Sequence, residues 1–129
     1  MKVQELIKLV SEVENKQIIN HSRDENYYYI YPVVSVGDPQ NDASARPTIN
    51  FEVTDDEVKL RLLYLNVRSK GLGTKIIRWL IDYCVSENIN KLSIRTVEKN
   101  NIIMKALARK FGFKVNKEND GYLNFELEL

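Results

Sequence analysis

A chain of 129 residues and 15.1 kDa is sized for one domain, residues 1–129, with a core that needs no metal or disulfide. With 43% hydrophobic and 29% charged residues and one cysteine, Cys84, the composition excludes a disordered chain, a collagen-like repeat and a disulfide scaffold. The net charge of +1 hides an asymmetry: residues 59–110 carry 12 Lys/Arg against 3 Asp/Glu, a net of +9, and the remainder 7 against 15, a net of −8. Such a basic segment suits either an anionic partner, nucleic acid or a phosphorylated small molecule, or a solvated helix face. No apolar stretch approaches the roughly 18 residues of a membrane span, and no basic leader precedes an apolar run, so a cytoplasmic protein without a signal peptide is expected.

Val3, Leu6, Ile7, Val10 and Val13 follow helical spacing and predict an amphipathic helix over about Lys2 to Glu14. Two β-rich runs follow, Tyr27 to Val36 and Thr48 to Thr54, separated by a turn-rich loop from Gly37 to Pro47. In the second run Ile49, Phe51 and Val53 alternate with Asn50, Glu52 and Thr54, the pattern of a strand with one apolar face. A third strand, about Val58 to Val67, completes an antiparallel meander. After Gly73 the stripe Ile76, Ile77, Leu80, Ile81, Cys84 and Val85 predicts a strong helix, with Cys84 in the core rather than a nucleophile. A strand at Leu92 to Val97, a helix at about Asn101 to Phe111 and two final strands ending in Leu123 to Leu129 complete the chain. The expectation is an α/β fold with a mixed, mostly antiparallel sheet, flanking helices and a parallel strand–helix–strand crossover.

The chemistry concentrates in Val67-Arg68-Ser69-Lys70-Gly71-Leu72-Gly73-Thr74-Lys75, which leaves a strand and enters the strongest helix. Backbone N–H groups at a helix start have no internal partners, and the helix dipole places partial positive charge there. Gly71 and Gly73 let a bulky anion approach those donors, while Arg68, Lys70 and Lys75 add charge, so the segment suits a pyrophosphate. A Walker A loop is excluded because Gly73 is followed by Thr74 and then Lys75, with no glycine at position 68. A dinucleotide fingerprint is excluded by Ile76, where a third glycine is required, and by a preceding strand that closes a meander instead of opening a doubly wound fold.

The arrangement Arg68, Gly71 and Gly73, followed by Asn101 and, eleven residues later, Gly112-Phe113, resembles the GNAT superfamily of acyl-CoA-dependent N-acyltransferases. The resemblance runs from about Val58 to Val115. It implies that the loop from Arg68 through Ser69, Lys70, Gly71, Leu72 and Gly73 to Thr74, with Lys75 behind it, holds the pyrophosphate of acetyl-CoA. It implies further that the strand edge at Leu65, Asn66 and Val67 pairs with the pantetheine arm where parallel strands splay apart, and that Asn101 contacts the cofactor from the other side. An acetyltransferase of the EC 2.3.1 type, acting on a primary amine by direct attack, is the implied activity; a non-catalytic acyl-CoA-binding or interaction module is the alternative. Nucleic acid loses ground as a partner, because no aromatic residues interleave with the basic ones.

The family's frequent general acid falls at Ala108, which leaves Tyr122 as a candidate acid and Glu52 as a candidate base. His21, the only histidine, is read as a surface residue, and no Cys/His cluster has metal-ligand spacing. The tyrosine run from Tyr27 to Tyr31 is read as strand packing. A homodimer is expected through an exposed edge, either the C-terminal strand or the tyrosine strand, with the acidic hairpin Lys117 to Gly121 free to border the acceptor.

Overall fold

The computed structural model describes residues 3–14, 18–33, 49–63 and 71–129. Helix α1 (Val3–Glu14) leads into strands β1 (Ile18–Asp24), β2 (Tyr27–Val33), β3 (Ile49–Val53) and β4 (Val58–Leu63). Helix α2 (Leu72–Ser86), strand β5 (Lys91–Glu98), helix α3 (Ile102–Lys110) and strands β6 (Lys114–Asn119) and β7 (Tyr122–Glu128) follow. The seven strands form one sheet in the order β1-β2-β3-β4-β5-β7-β6, in which the β4–β5 pair is parallel and the other neighbours are antiparallel. The expected α/β class, meander and parallel crossover are therefore present.

Strand periodicity divides the sheet into two faces. Tyr28, Phe51, Leu60, Ile94 and Phe125 stand in register across five strands and are buried. They share one core with Leu6 of α1, with Ile76, Ile77, Leu80 and Cys84 of α2, and with Ala108 of α3. One residue along, Tyr27, Glu52, Lys59, Ser93 and Glu126 form a parallel row on the opposite face. That row is knitted together by charge. Lys59 lies 3.8 Å from Glu52 and Lys91 lies 3.7 Å from Glu126. The buried Ser93 hydroxyl donates to Glu57 at 2.7 Å and accepts from Arg95, so the one buried polar side chain among the described residues is satisfied.

Two expectations change, and one strand is new. Asn20-His21-Ser22-Arg23, a segment to which the sequence assigned no element, lies in β1, where His21 pairs with Ile30 and the exposed Arg23 with Tyr28. Hairpin pairing with the tyrosine strand decides it, overriding weak local propensity. The tyrosine strand β2 is thereby an inner strand, with Tyr28 stacked on Phe51 at 5.1 Å between ring centroids. The C-terminal strand β7 is also inner, flanked by β5 and β6, so neither edge expected to carry a dimer is an edge of this sheet. β1 and β6 hold those positions. Residues 34–36 of the first expected run, Thr48 of the second and 64–67 of the third strand lie outside the described residues.

Candidate functional site

β4 and β5 run together only from Val58 with Leu92 to Leu60 with Ile94, and beyond that pair they separate into a fork. Both helices that follow the fork strands begin at this end of the sheet. The helix starts differ in chemistry. α3 is capped by Asn101, whose side-chain oxygen accepts the Met104 N–H at 3.0 Å. α2 begins at Gly71 in the left-handed region (φ 70), with no side-chain cap and no acidic residue in its first turn.

The first intrahelical bond of α2 is from the Lys75 N–H to the Gly71 carbonyl at 3.1 Å. The N–H groups of Leu72, Gly73 and Thr74 precede it and have no partner within the helix. A Cβ built on Gly71 would meet nothing within 4 Å, so the glycine is required by its backbone angle and by the open space above it, not by crowding. Lys110 reaches back from the end of α3 to place its Nζ 3.4 Å from Thr74 Oγ1, adding a cation to the same turn. Three donors with no cap among the described residues, a helix dipole, Lys75 and Lys110 are the chemistry that a multiply charged anion requires. The residues fit a pyrophosphate.

Of the residues expected to form this site, Gly71, Leu72, Gly73, Thr74 and Lys75 come together at the α2 start, with Asn101 at the neighbouring helix start. Leu65, Asn66, Val67, Arg68, Ser69 and Lys70 lie outside the described residues. Tyr122 is 42% exposed and opens β7, paired with Glu98 of β5 and Asn119 of β6 at the fork end of the sheet. The β6–β7 hairpin is fastened to the approach to α3. Lys99 donates its N–H to the Gly121 carbonyl at 2.9 Å and pairs with Glu118 at 2.8 Å, which lowers the Glu118 pKa.

Glu52 is engaged elsewhere. Arg61 donates to its carboxylate at 3.0 Å, and that hydrogen bond, assisted by the nearby Lys59 and Arg61 charges, holds its pKa below the usual value. A carboxylate so stabilised is a poorer proton acceptor at neutral pH. Ala108 is wholly buried, so its methyl group is core packing; a tyrosine forced into that space would overpack it at a cost of about 1–3 kcal/mol. Cys84 is buried as expected, its thiol pushed up to about 12 by burial. Among the described residues, no group of three or more His, Cys, Asp or Glu side chains could hold a metal ion.

The Gly-Phe pair has a structural explanation that sequence spacing alone did not supply. Gly112 (φ 86) donates to the Arg109 carbonyl and Phe113 to the Ala108 carbonyl, both at 3.0 Å, a Schellman closure of α3 with Phe113 buried behind it. The basic Arg109 and Lys110 before a glycine were the available signal.

A strand fork, an open glycine turn on the helix between its prongs and a capped second helix are now in place, and residues 65–113 match the family model described as acetyltransferase (GNAT) family. The chain has the GNAT fold. It is similar to the N-acetyltransferase PseH of Campylobacter jejuni, solved in complex with acetyl coenzyme A, with a TM-score of 0.59 and 20% identity over 81% of this chain and 70% of that one. The PaiA N-acetyltransferase of Thermoplasma acidophilum, solved in complex with coenzyme A, gives 0.58 and 16% identity over 80% of this chain and 60% of that one. The ribosomal-protein-S18-alanine N-acetyltransferase of Escherichia coli gives 0.58 and 17% identity over 99% and 90%. No curated protein matches the chain by sequence. Within the GNAT fold, the family match spans residues 65–70, outside the described residues, and then the Gly71 turn, α2, β5 and α3.

Proposed function

We propose that this GNAT-fold chain is an N-acetyltransferase that moves an acetyl group from acetyl-CoA to a primary amine by direct attack, within a single domain of the cytoplasm. The observation that carries the reading is the open start of α2 at the mouth of the β4–β5 fork. The amides of residues 72–74, with Arg68, Ser69 and Lys70 before them and Lys75 behind, hold the donor's pyrophosphate. Backbone groups of Leu65, Asn66 and Val67, outside the described residues, serve its amide-bearing arm in this reading, and Asn101 bounds the other side. The bound donor supplies an acyl thioester. Its thiolate is a tolerable leaving group, with a thiol pKa near ~8.5, so a side-chain acid adds only ~10² to 10⁴ in rate. Tyr122 is the hydroxyl proposed for that proton; Glu52, bound to Arg61, is the lesser candidate for a base. The hairpin at Asp120 borders the acceptor, and a homodimer remains part of the proposal without the two inner strands as its contact.

The buried Ala108, where the family's acid would stand, favours a second reading, a module that binds acyl-CoA without turnover. One pair of measurements separates them. Acetyl-CoA should raise the melting temperature well beyond equal concentrations of ATP or NAD, and supplying pools of polyamines, amino acids and peptide amines should release free coenzyme A thiol. Stabilisation without thiol release identifies the binding module. An equal shift with ATP overturns both.

A further inference from the structure

The fork opens at matching points on its two prongs. Immediately beyond the last pair, Leu60 with Ile94, each strand bulges away from regular register. On β4, Arg61 is the extra residue against β3, between the pairs Phe51 with Leu60 and Asn50 with Leu62. On β5, Arg95 and Thr96 together face Asn124 of β7, between the pairs Ile94 with Phe125 and Val97 with Leu123. Bulges of this kind bend the strand that carries them and end pairing locally.

The β5 bulge is held in an unusual way. Thr96 has φ 59, a left-handed angle that is rare for a β-branched residue. Its N–H donates to the side-chain oxygen of Asn124 at 2.8 Å, so a side chain takes the place of a main-chain acceptor in the ladder. Strain of this sort persists only where surrounding contacts impose it. The contact the structure gives the Thr96 N–H is the Asn124 carboxamide.

We infer that Asn124 is a positioning residue of the donor site: by accepting the Thr96 N–H it keeps the β5 prong bulged and the fork open to the amides of an acyl-CoA arm, an inference that rests on the acyl-donor reading above. Without that acceptor Thr96 relaxes to an ordinary β angle. β5 then loses the fixed bend that carries it away from β4, and the opening is left to the Arg61 bulge on β4 alone.

Coenzyme A affinity by calorimetry and backbone geometry by NMR test this on the full chain. Asn124→Ala should weaken coenzyme A binding about tenfold and abolish the positive φ of Thr96, read from its HN–Hα coupling. Asn124→Asp retains an acceptor oxygen and should preserve both. Thr96→Gly in the Asn124→Ala background should restore affinity to within about threefold, because glycine holds the bulge angle unaided. An Asn124→Ala protein with unchanged Thr96 geometry and affinity overturns the inference, as does a folded double variant with no recovery. If the unmutated chain binds no coenzyme A, the donor reading fails, and the Thr96 coupling alone decides whether Asn124 holds the bulge. Amide exchange in the unmutated chain needs no variant to fold: Thr96 should be protected comparably to Ile94, and free exchange there overturns the inference.

Discussion

Helices α2 and α3 each follow a strand of the fork, and of their four ends three are closed by the chain itself. α3 starts under the Asn101 cap and finishes in the Gly112 Schellman turn. α2 finishes in a turn of the same kind, with Asn88 at φ 57 and the Ile89 N–H donating to the Cys84 carbonyl at 2.8 Å. Among the described residues, the start of α2 has neither kind of closure. A serine or aspartate cap at an ordinary N-cap angle would add only a few tenths of a kcal/mol over glycine, so the open end costs the helix little. The fourth end is glycine in a left-handed turn with the Lys110 ammonium beside Thr74, and the proposed donor site rests on this difference.

Breaking that contrast has its largest effect at Gly71. Gly71→Val places a β-branched residue at φ 70 and a side chain in the open space where an anion would approach. The expected result is a loss of acetyl-CoA affinity on the order of 10², with folding weakened by about 1–2 kcal/mol. Calorimetry and urea unfolding measured together check it, and wild-type affinity in a folded Gly71→Val protein refutes the pyrophosphate placement.

At the capped start the balance reverses, with stability the larger effect. Asn101→Ala should cost about 1 kcal/mol, a fall of about 2–5 °C in melting temperature for a chain of this size. Asn101→Asp keeps an acceptor oxygen and should hold stability within a few tenths of a kcal/mol. Affinity lost in that second variant and still lost at about 0.5 M salt, where the added carboxylate charge is screened, reports the carboxamide Nδ2, which separates the cap from the proposed donor contact. Equal stability of the Ala variant and the unmutated chain would show that the cap is not closing α3.

Glu52 sharpens the contrast within the sheet, because it is a charge already satisfied by its neighbours. Its folded-state pKa is lowered, so its contribution to stability is present above the unfolded value of about 4.3 and is lost as pH falls through the folded value. Glu52→Gln should therefore destabilise the chain by about 0.5–1 kcal/mol at pH 7 and by almost nothing below about pH 3, the figure being modest because Arg61 is 42% exposed. Activity between pH 6 and 9 should keep its profile. A lost basic limb in that profile would return Glu52 to the role of general base.

Much of this arrangement was legible in the sequence, and the parts that were not share a cause. The helical stripe from Ile76 to Val85, the alternation from Ile49 to Thr54 and the Gly71–Gly73 turn are local patterns, and local patterns survive folding. β1 was not legible, because Asn20 to Arg23 has strand form only through its pairing with β2. The bulges at Arg61 and Thr96 were hidden for the same reason: register is a relation between strands, and nothing in a threonine announces a left-handed angle. The burial of Ala108 is likewise tertiary. The inner positions of β2 and β7 follow from strand order, which alternation cannot supply.

The smallest expected effect belongs to Lys110, and it tests whether the open start is electropositive by design of the whole site or only by its own helix. In the last turn of α3 a lysine is favourable to that helix's dipole, and here it also delivers its charge to Thr74 in the first turn of α2. Lys110→Met removes the cation and keeps much of the apolar stem, so acetyl-CoA affinity should fall about threefold at low ionic strength and recover toward the unmutated value as salt approaches 0.5 M, where the screening length is only about 4 Å. Lys110→Arg retains the charge and should retain the affinity. A loss that persists at high salt would assign the effect to packing between the two helices, and no loss at low salt would confine the anion site to the α2 turn itself.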